Sequence, residues 1–95
     1  MYLDLVVAKH KDSPRYYLFQ APPFSRLNAG ELVIVDTVKG EAEAEVVNVL
    51  TTDTNRKEYH FIVEMNHATL PLRKVLKKVA YRELRYEEEE DGRDS

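Results

Sequence analysis

Ninety-five residues, 43% of them hydrophobic and 9% aromatic, suffice for one small globular domain and are too apolar for a disordered chain. With no cysteine, the chain has no disulfide framework, no thiol chemistry and no thiolate-ligated zinc. The net charge of -3 is unevenly spread: residues 70–86 hold Arg73, Lys74, Lys77, Lys78, Arg82 and Arg85 against Glu83 alone, whereas residues 87–95 hold six acids against Arg93.

Residues 2–9 alternate with period two, Leu3, Leu5 and Val7 on one face and Tyr2, Asp4 and Val6 on the other, which predicts a strand. Asp4 interrupts the apolar stretch and no basic residue precedes it, so a secretory signal is not expected. No apolar run approaches the ~18 residues of a membrane span. A cytoplasmic protein with no membrane partner is the expectation. Residues 10–14, HKDSP, read as a turn. Residues 15–21, RYYLFQA, predict a second strand, which Pro22-Pro23 ends because proline cannot donate to a ladder. The adjacent Tyr16 and Tyr17 then point to opposite faces, so at most one of them is core.

Residues 22–30 form a loop in which Phe24 has no strand partner. Two readings stay open for it. With a tyrosine at the same barrel end it could anchor a protein or stack on a base. Alternatively it folds back and plugs the barrel. Gly30 leads into a third strand over residues 31–37, Lys39-Gly40 turns the chain, and residues 41–52 predict a fourth. Glu41, Glu43 and Glu45 fall on one face with Ala42 and Ala44 turned inward. At ~6.8 Å intervals the three carboxylates are too far apart to share one cation, and a solvated face is expected.

Residues 58–66 admit both periods. As a strand they turn Tyr59, Phe61, Val63 and Met65 to the core. As a helix they set His60, Glu64 and His67 on one side, a metal-like face. The strand is preferred, and no metal site or cofactor is expected. Residues 70–88 change period: Leu72, Val75, Leu76 and Val79 sit at helical spacing, with Thr69 as N-cap and Pro71 in the first turn. Arg73, Lys74, Lys77, Lys78 and Arg85, with Tyr81 among them, would occupy the opposite face. Residues 89–95 read as a disordered acidic tail.

Residues 1–88 are therefore expected to form one domain, a five-stranded antiparallel SH3-like barrel whose strands neighbour one another in a meander. An amphipathic C-terminal helix over residues 70–88 would cover an open end or seam. Val33, Val35, Val46, Val49, Phe61 and Val75 are the expected core. The segment AGELVIVDTVKGEAEAEVVNV resembles the glycine-entered strand and glycine turn of KOW-type and other SH3-like barrels. The order YYLFQA, GELVIVDTVKG, HFIVEMN and a charged C-terminal helix from Leu70 is similar to small barrels encoded in firmicute genomes and prophages. Phe61 stands where those have Trp, and Met65-Asn66 departs from their strand end. The resemblance implies the fold and a phage or mobile-element setting, and it supplies no catalytic residues.

Ser13, Ser25 and Ser95 lie in no nucleophile-elbow context, and Gly30, Gly40 and Gly92 make no phosphate loop. A non-enzymatic binding module is expected, with another protein as its partner and Tyr16, Tyr17 and Phe24 as contacts. The alternative is a nucleic-acid-binding module that uses the basic helix face. A third reading is an inhibitor of a host nucleic-acid enzyme, its acidic tail imitating phosphates.

Overall fold

The computed structural model describes residues 1–79. Its elements are β1 (Tyr2–Lys9), β2 (Tyr16–Ala21), β3 (Leu32–Thr37), β4 (Gly40–Asp53), α1 (Lys57–Met65) and β5 (Arg73–Lys78). The strands close a barrel in the order β1-β2-β5-β3-β4, with β4 returning to β1. The domain is mainly β, as its alternating segments predict. It is not a meander, and it is not wholly antiparallel. β5 lies between β2 and β3, and it pairs parallel with β2 through Phe19–Arg73 and Gln20–Lys74. Loop 22–30 carries the chain past the slot beside β2, and β5 returns later to fill it. A parallel neighbour needs such a crossover, whereas antiparallel neighbours can be joined by a tight turn.

Strand alternation divides the apolar residues into two cores. Val6, Ala8, Phe19, Ala21, Val33, Val35, Ala44 and Val46 are buried inside the barrel. Leu3, Leu5 and Leu18 have the opposite parity on β1 and β2, and they pack outside it against Tyr59, Val63 and Leu72. The barrel thus carries α1 as a second layer on the outer face of β1 and β2. Glycine is required at two points of the hairpin: Gly30 (φ +92°) at the entry to β3, and Gly40 (φ +106°) where β4 begins opposite Thr37.

The strand expected over residues 58–66 is a helix. Tyr59 and Val63 are buried, while Phe61 and Met65 are each 62% exposed on the other side. A closed five-strand barrel has no edge left for this segment. The outer face of β1 and β2 is apolar and needs a cover, and spacings of three and four residues let Tyr59, Ile62 and Val63 supply it. Glu58 in the first turn also suits the positive end of the helix dipole.

The helix expected over residues 70–88 is corrected over its described part, where residues 73–78 are β5; residues 80–88 lie outside the described residues, as do the tail at 89–95 and Arg85. Two exposed barrel edges, of β2 and β3, need backbone partners, and this demand outweighs a helical pattern. The pattern itself has a mundane source. Leu72 joins the outer core, Val75 packs on the inner core, and the ladder slips by one residue between the Ile34–Lys77 and Val35–Val75 pairs. That bulge leaves Leu76 as an extra, exposed residue beside Val75. Of the expected core, Val33, Val35 and Val46 are fully buried, Val49 and Val75 are partly buried against them, and Phe61 is at the surface. No helix among the described residues is long and apolar enough to cross a membrane.

The end of α1 yields a stability prediction. His67 has φ +53°, its amide donates to the Glu64 carbonyl, and the Ala68 amide donates to the Val63 carbonyl. This is a Schellman stop with a non-glycine residue at the left-handed position, and Ala68 packs into the core beside Val63. A left-handed conformation costs an L-residue about 1 kcal/mol that glycine avoids. His67→Gly is therefore expected to raise the melting temperature by roughly 4–8 °C. An unchanged or lower value in a calorimetric scan contradicts this account of the cap.

Candidate interaction site

An acid inside an apolar strand organises the most distinctive surface of the molecule. Asp4 is 1% exposed, on the interior side of β1. Its carboxylate accepts the amides of Phe24 (3.1 Å) and Ser25 (3.0 Å) and the hydroxyls of Ser25 (2.6 Å) and Thr51 (2.5 Å). Burial pushes its pKa up, but the hydrogen bonds from Ser25, Thr51 and the two loop amides outweigh burial and leave it below the ordinary aspartate value. A carboxylate saturated by four donors is a poor base, so the Ser25–Asp4 pair works as a clamp.

The clamp holds a strained loop. Phe24 (φ +59°) and Arg26 (φ +61°) both occupy the left-handed region, which L-residues enter at a cost. Leu27 packs against the barrel core and anchors the loop a second time. Leu27, not Phe24, is thus the loop side chain that turns inward. Phe24 projects into solvent, 75% exposed, with the exposed Arg26 two residues on.

The tyrosines lie elsewhere. Tyr16 pairs with Lys9 at the far end of β1, whereas Asp4 pairs with Ala21 at the end that holds the loop. Five residues of strand, about 17 Å, separate these levels. Tyr16 and Phe24 therefore do not share a barrel end. Tyr16 is exposed and Tyr17 partly buried, as their opposite faces require. The Tyr17 ring lies 5.5 Å from the His10 ring, and the Arg15 guanidinium sits 5.6 Å from the Tyr17 centroid. His10 Nδ1 donates to the Glu43 carbonyl (3.1 Å), and its ring meets Phe19 edge-on at 6.4 Å. Tyr17 and His10 thus finish the packing at their end of the barrel.

Of the basic residues expected on a helix, Arg73, Lys74, Lys77 and Lys78 are on β5, and two of these four are already engaged. Arg73 pairs with Asp36 (3.4 Å) and Lys78 with Glu31 (3.0 Å). Among the described residues, Lys74 and Lys77 make no ion pair and stand exposed. Glu41, Glu43 and Glu45 are exposed on the outside of β4 with Ala44 buried between them, the solvated face that the alternation predicts. α1 does bring His60 and Glu64 to helical i, i+4 spacing, but His67 lies beyond the helix in its left-handed stop. Among the described residues no group of three histidine or acidic side chains is placed to hold a metal ion.

Sequence reading missed the role of Asp4, which it placed on a strand face with Tyr2 and Val6 and used as evidence against a signal peptide. The available signal was the cost of a charge on a strand face shared with Val6, which obliges that charge to find donors. Comparison of the chain with protein-family models, with curated proteins and with solved structures found no match.

Proposed function

We propose that the chain is a non-catalytic protein-binding module that docks through the loop of residues 22–30, with Phe24 as its anchor. One observation carries the reading: a large aromatic side chain stands exposed on a backbone that a buried carboxylate and Leu27 hold fixed. A rigid, exposed aromatic loses little conformational entropy on binding, and such residues dominate the energy of protein interfaces. Arg26 beside it adds a planar cation suited to carboxylates and to aromatic faces on a partner. The resemblance to SH3-like, KOW-type barrels, resting on the Gly30 and Gly40 hairpin, also favours binding over catalysis.

The test starts from a partner captured out of extracts of the producing cells, which is then titrated with pure wild-type protein and with Phe24→Ala. The variant should unfold within about 0.5 kcal/mol of wild type, because its side chain is at the surface. Its affinity should fall about 30-fold, as for an interface anchor. Equal affinity for the two proteins rules out the loop as the docking element. Lys74 and Lys77, unpaired and exposed on β5, support the nucleic-acid reading instead. Micromolar, salt-sensitive DNA binding by the full chain that Lys74→Ala/Lys77→Ala abolishes would favour it.

A further inference from the structure

The exterior of β3, β5 and residues 41–45 of β4, which lies away from the apolar cluster under α1, is complementary to itself. Val33 and Val35 face inward, so Leu32, Ile34 and Asp36 face outward along β3. On one side of this row β4 sets Glu45, Glu43 and Glu41 opposite Leu32, Ile34 and Asp36. On the other side β5 sets Lys77 opposite Ile34. Past the bulge the ladder resumes at Val35–Val75, and one further step brings Lys74 to the level of Asp36 and Glu41. The surface therefore reads as an acidic row, a partly apolar row and a basic row. Its outer rows are roughly 10 Å apart, two inter-strand spacings. None of Glu41, Glu43, Glu45, Lys74 and Lys77 forms an ion pair among the described residues.

We infer that this face binds a second copy of the chain, about a two-fold axis running along β3. The direction of the axis follows from the charge pattern. Rotation about a line parallel to β3 lays the basic row of one copy on the acidic row of the other and keeps each residue at its own level. Lys77 then meets the partner's Glu43, Lys74 meets the partner's Glu41, and each contact occurs twice. Leu32 and Ile34 meet their own counterparts at the centre, and so does Asp36, whose charge Arg73 of the same copy offsets. An axis perpendicular to the strands would set lysines on lysines. A two-fold interface must be self-complementary, and three strands in the order acid, aliphatic, base meet that condition. The patch is small and its rim is charged, so the dimer is a weak one, held at about 100 μM protein in low salt and loosened by salt.

The experiment measures mass by sedimentation equilibrium on the full chain, using two exposed charge reversals. Wild type should shift toward dimer as concentration rises, with a dissociation constant about 10-fold weaker in 0.5 M salt than in 0.05 M. Lys74→Glu/Lys77→Glu should be monomeric alone, because acids then face acids. Glu41→Lys/Glu43→Lys should be monomeric alone for the converse reason. An equimolar mixture of the two should dimerise, because both contact rows again pair opposite charges. Circular dichroism melts establish that both variants are folded. A monomeric wild type at several hundred micromolar overturns the inference, and so does a dimer that either reversal leaves intact. A mixture that stays monomeric overturns the pairing of the acidic row with the basic row. Phe24→Ala lies outside this face and should dimerise as wild type does, which keeps this result separate from the test of the loop.

Discussion

Asp4→Asn is expected to lower the unfolding free energy by about 3 kcal/mol, a large share of the 5–15 kcal/mol that stabilises a typical domain. The carboxylate accepts four hydrogen bonds, and two donors, the Phe24 and Ser25 amides, belong to a loop with two left-handed non-glycine residues. An amide of the same shape keeps one acceptor oxygen and turns its NH2 group toward the donors of the other, so one loop amide and one hydroxyl lose their acceptor. The effect should also appear in the pH dependence of stability. The folded-state pKa of Asp4 lies below its ordinary value near 3.8. The carboxylate therefore contributes stability that is fully present above that value and is lost as pH falls through the lower, folded pKa. Wild type should lose stability on acidification below about pH 4, and Asp4→Asn should lack that part of the slope. Urea unfolding of both proteins at several acidic pH values provides the measurement. A midpoint for Asp4→Asn equal to wild type at neutral pH would show that the clamp is unnecessary. Amide exchange at Ser25 should accelerate in the variant as the loop loses its anchor.

Two aromatic residues two positions apart should behave oppositely. Tyr59 is buried between α1 and the outer face of β1 and β2, beside Leu3, Leu5, Leu18, Val63 and Leu72. Removing a core aromatic costs about 3–5 kcal/mol, and Tyr59→Ala should fall in that range and loosen α1 from the barrel. Phe61 points away from that contact, and Phe61→Ala should change stability by no more than about 0.5 kcal/mol. A strand in this segment would turn both rings to one side and make both truncations costly. Denaturant midpoints of the two variants therefore test the helix directly, and similar large losses for both would contradict it. The exposed Phe61 and Met65 share one side of α1 at i, i+4 spacing, and Glu58 and Glu64 flank them on the solvent side.

What could be read from the chain alone is what local physics decides. The alternation of Leu3, Leu5 and Val7 against Val6 and Ala8, the proline pair after Ala21, and the glycines at positions 30 and 40 locate β1, β2 and the β3–β4 hairpin almost to the residue. Opposite faces for Tyr16 and Tyr17, and an outward row of Glu41, Glu43 and Glu45, follow from the same period. Tertiary structure decided the rest, because it depends on which surfaces and edges remain to be satisfied. Residues 57–65 fit either period, and they are helical because the outer face of β1 and β2 lacks a cover and the closed barrel offers no edge. Residues 73–78 show helical spacing, and they are a strand because β2 and β3 each leave an edge unpaired and a bulge at Leu76 disguises the alternation. The role of Asp4 depends on a loop some twenty residues away in the chain and on Thr51 in β4, so its donors are visible only once the barrel has closed. Phe24 could turn inward or outward on sequence grounds, and Leu27 settled the matter by taking the interior place.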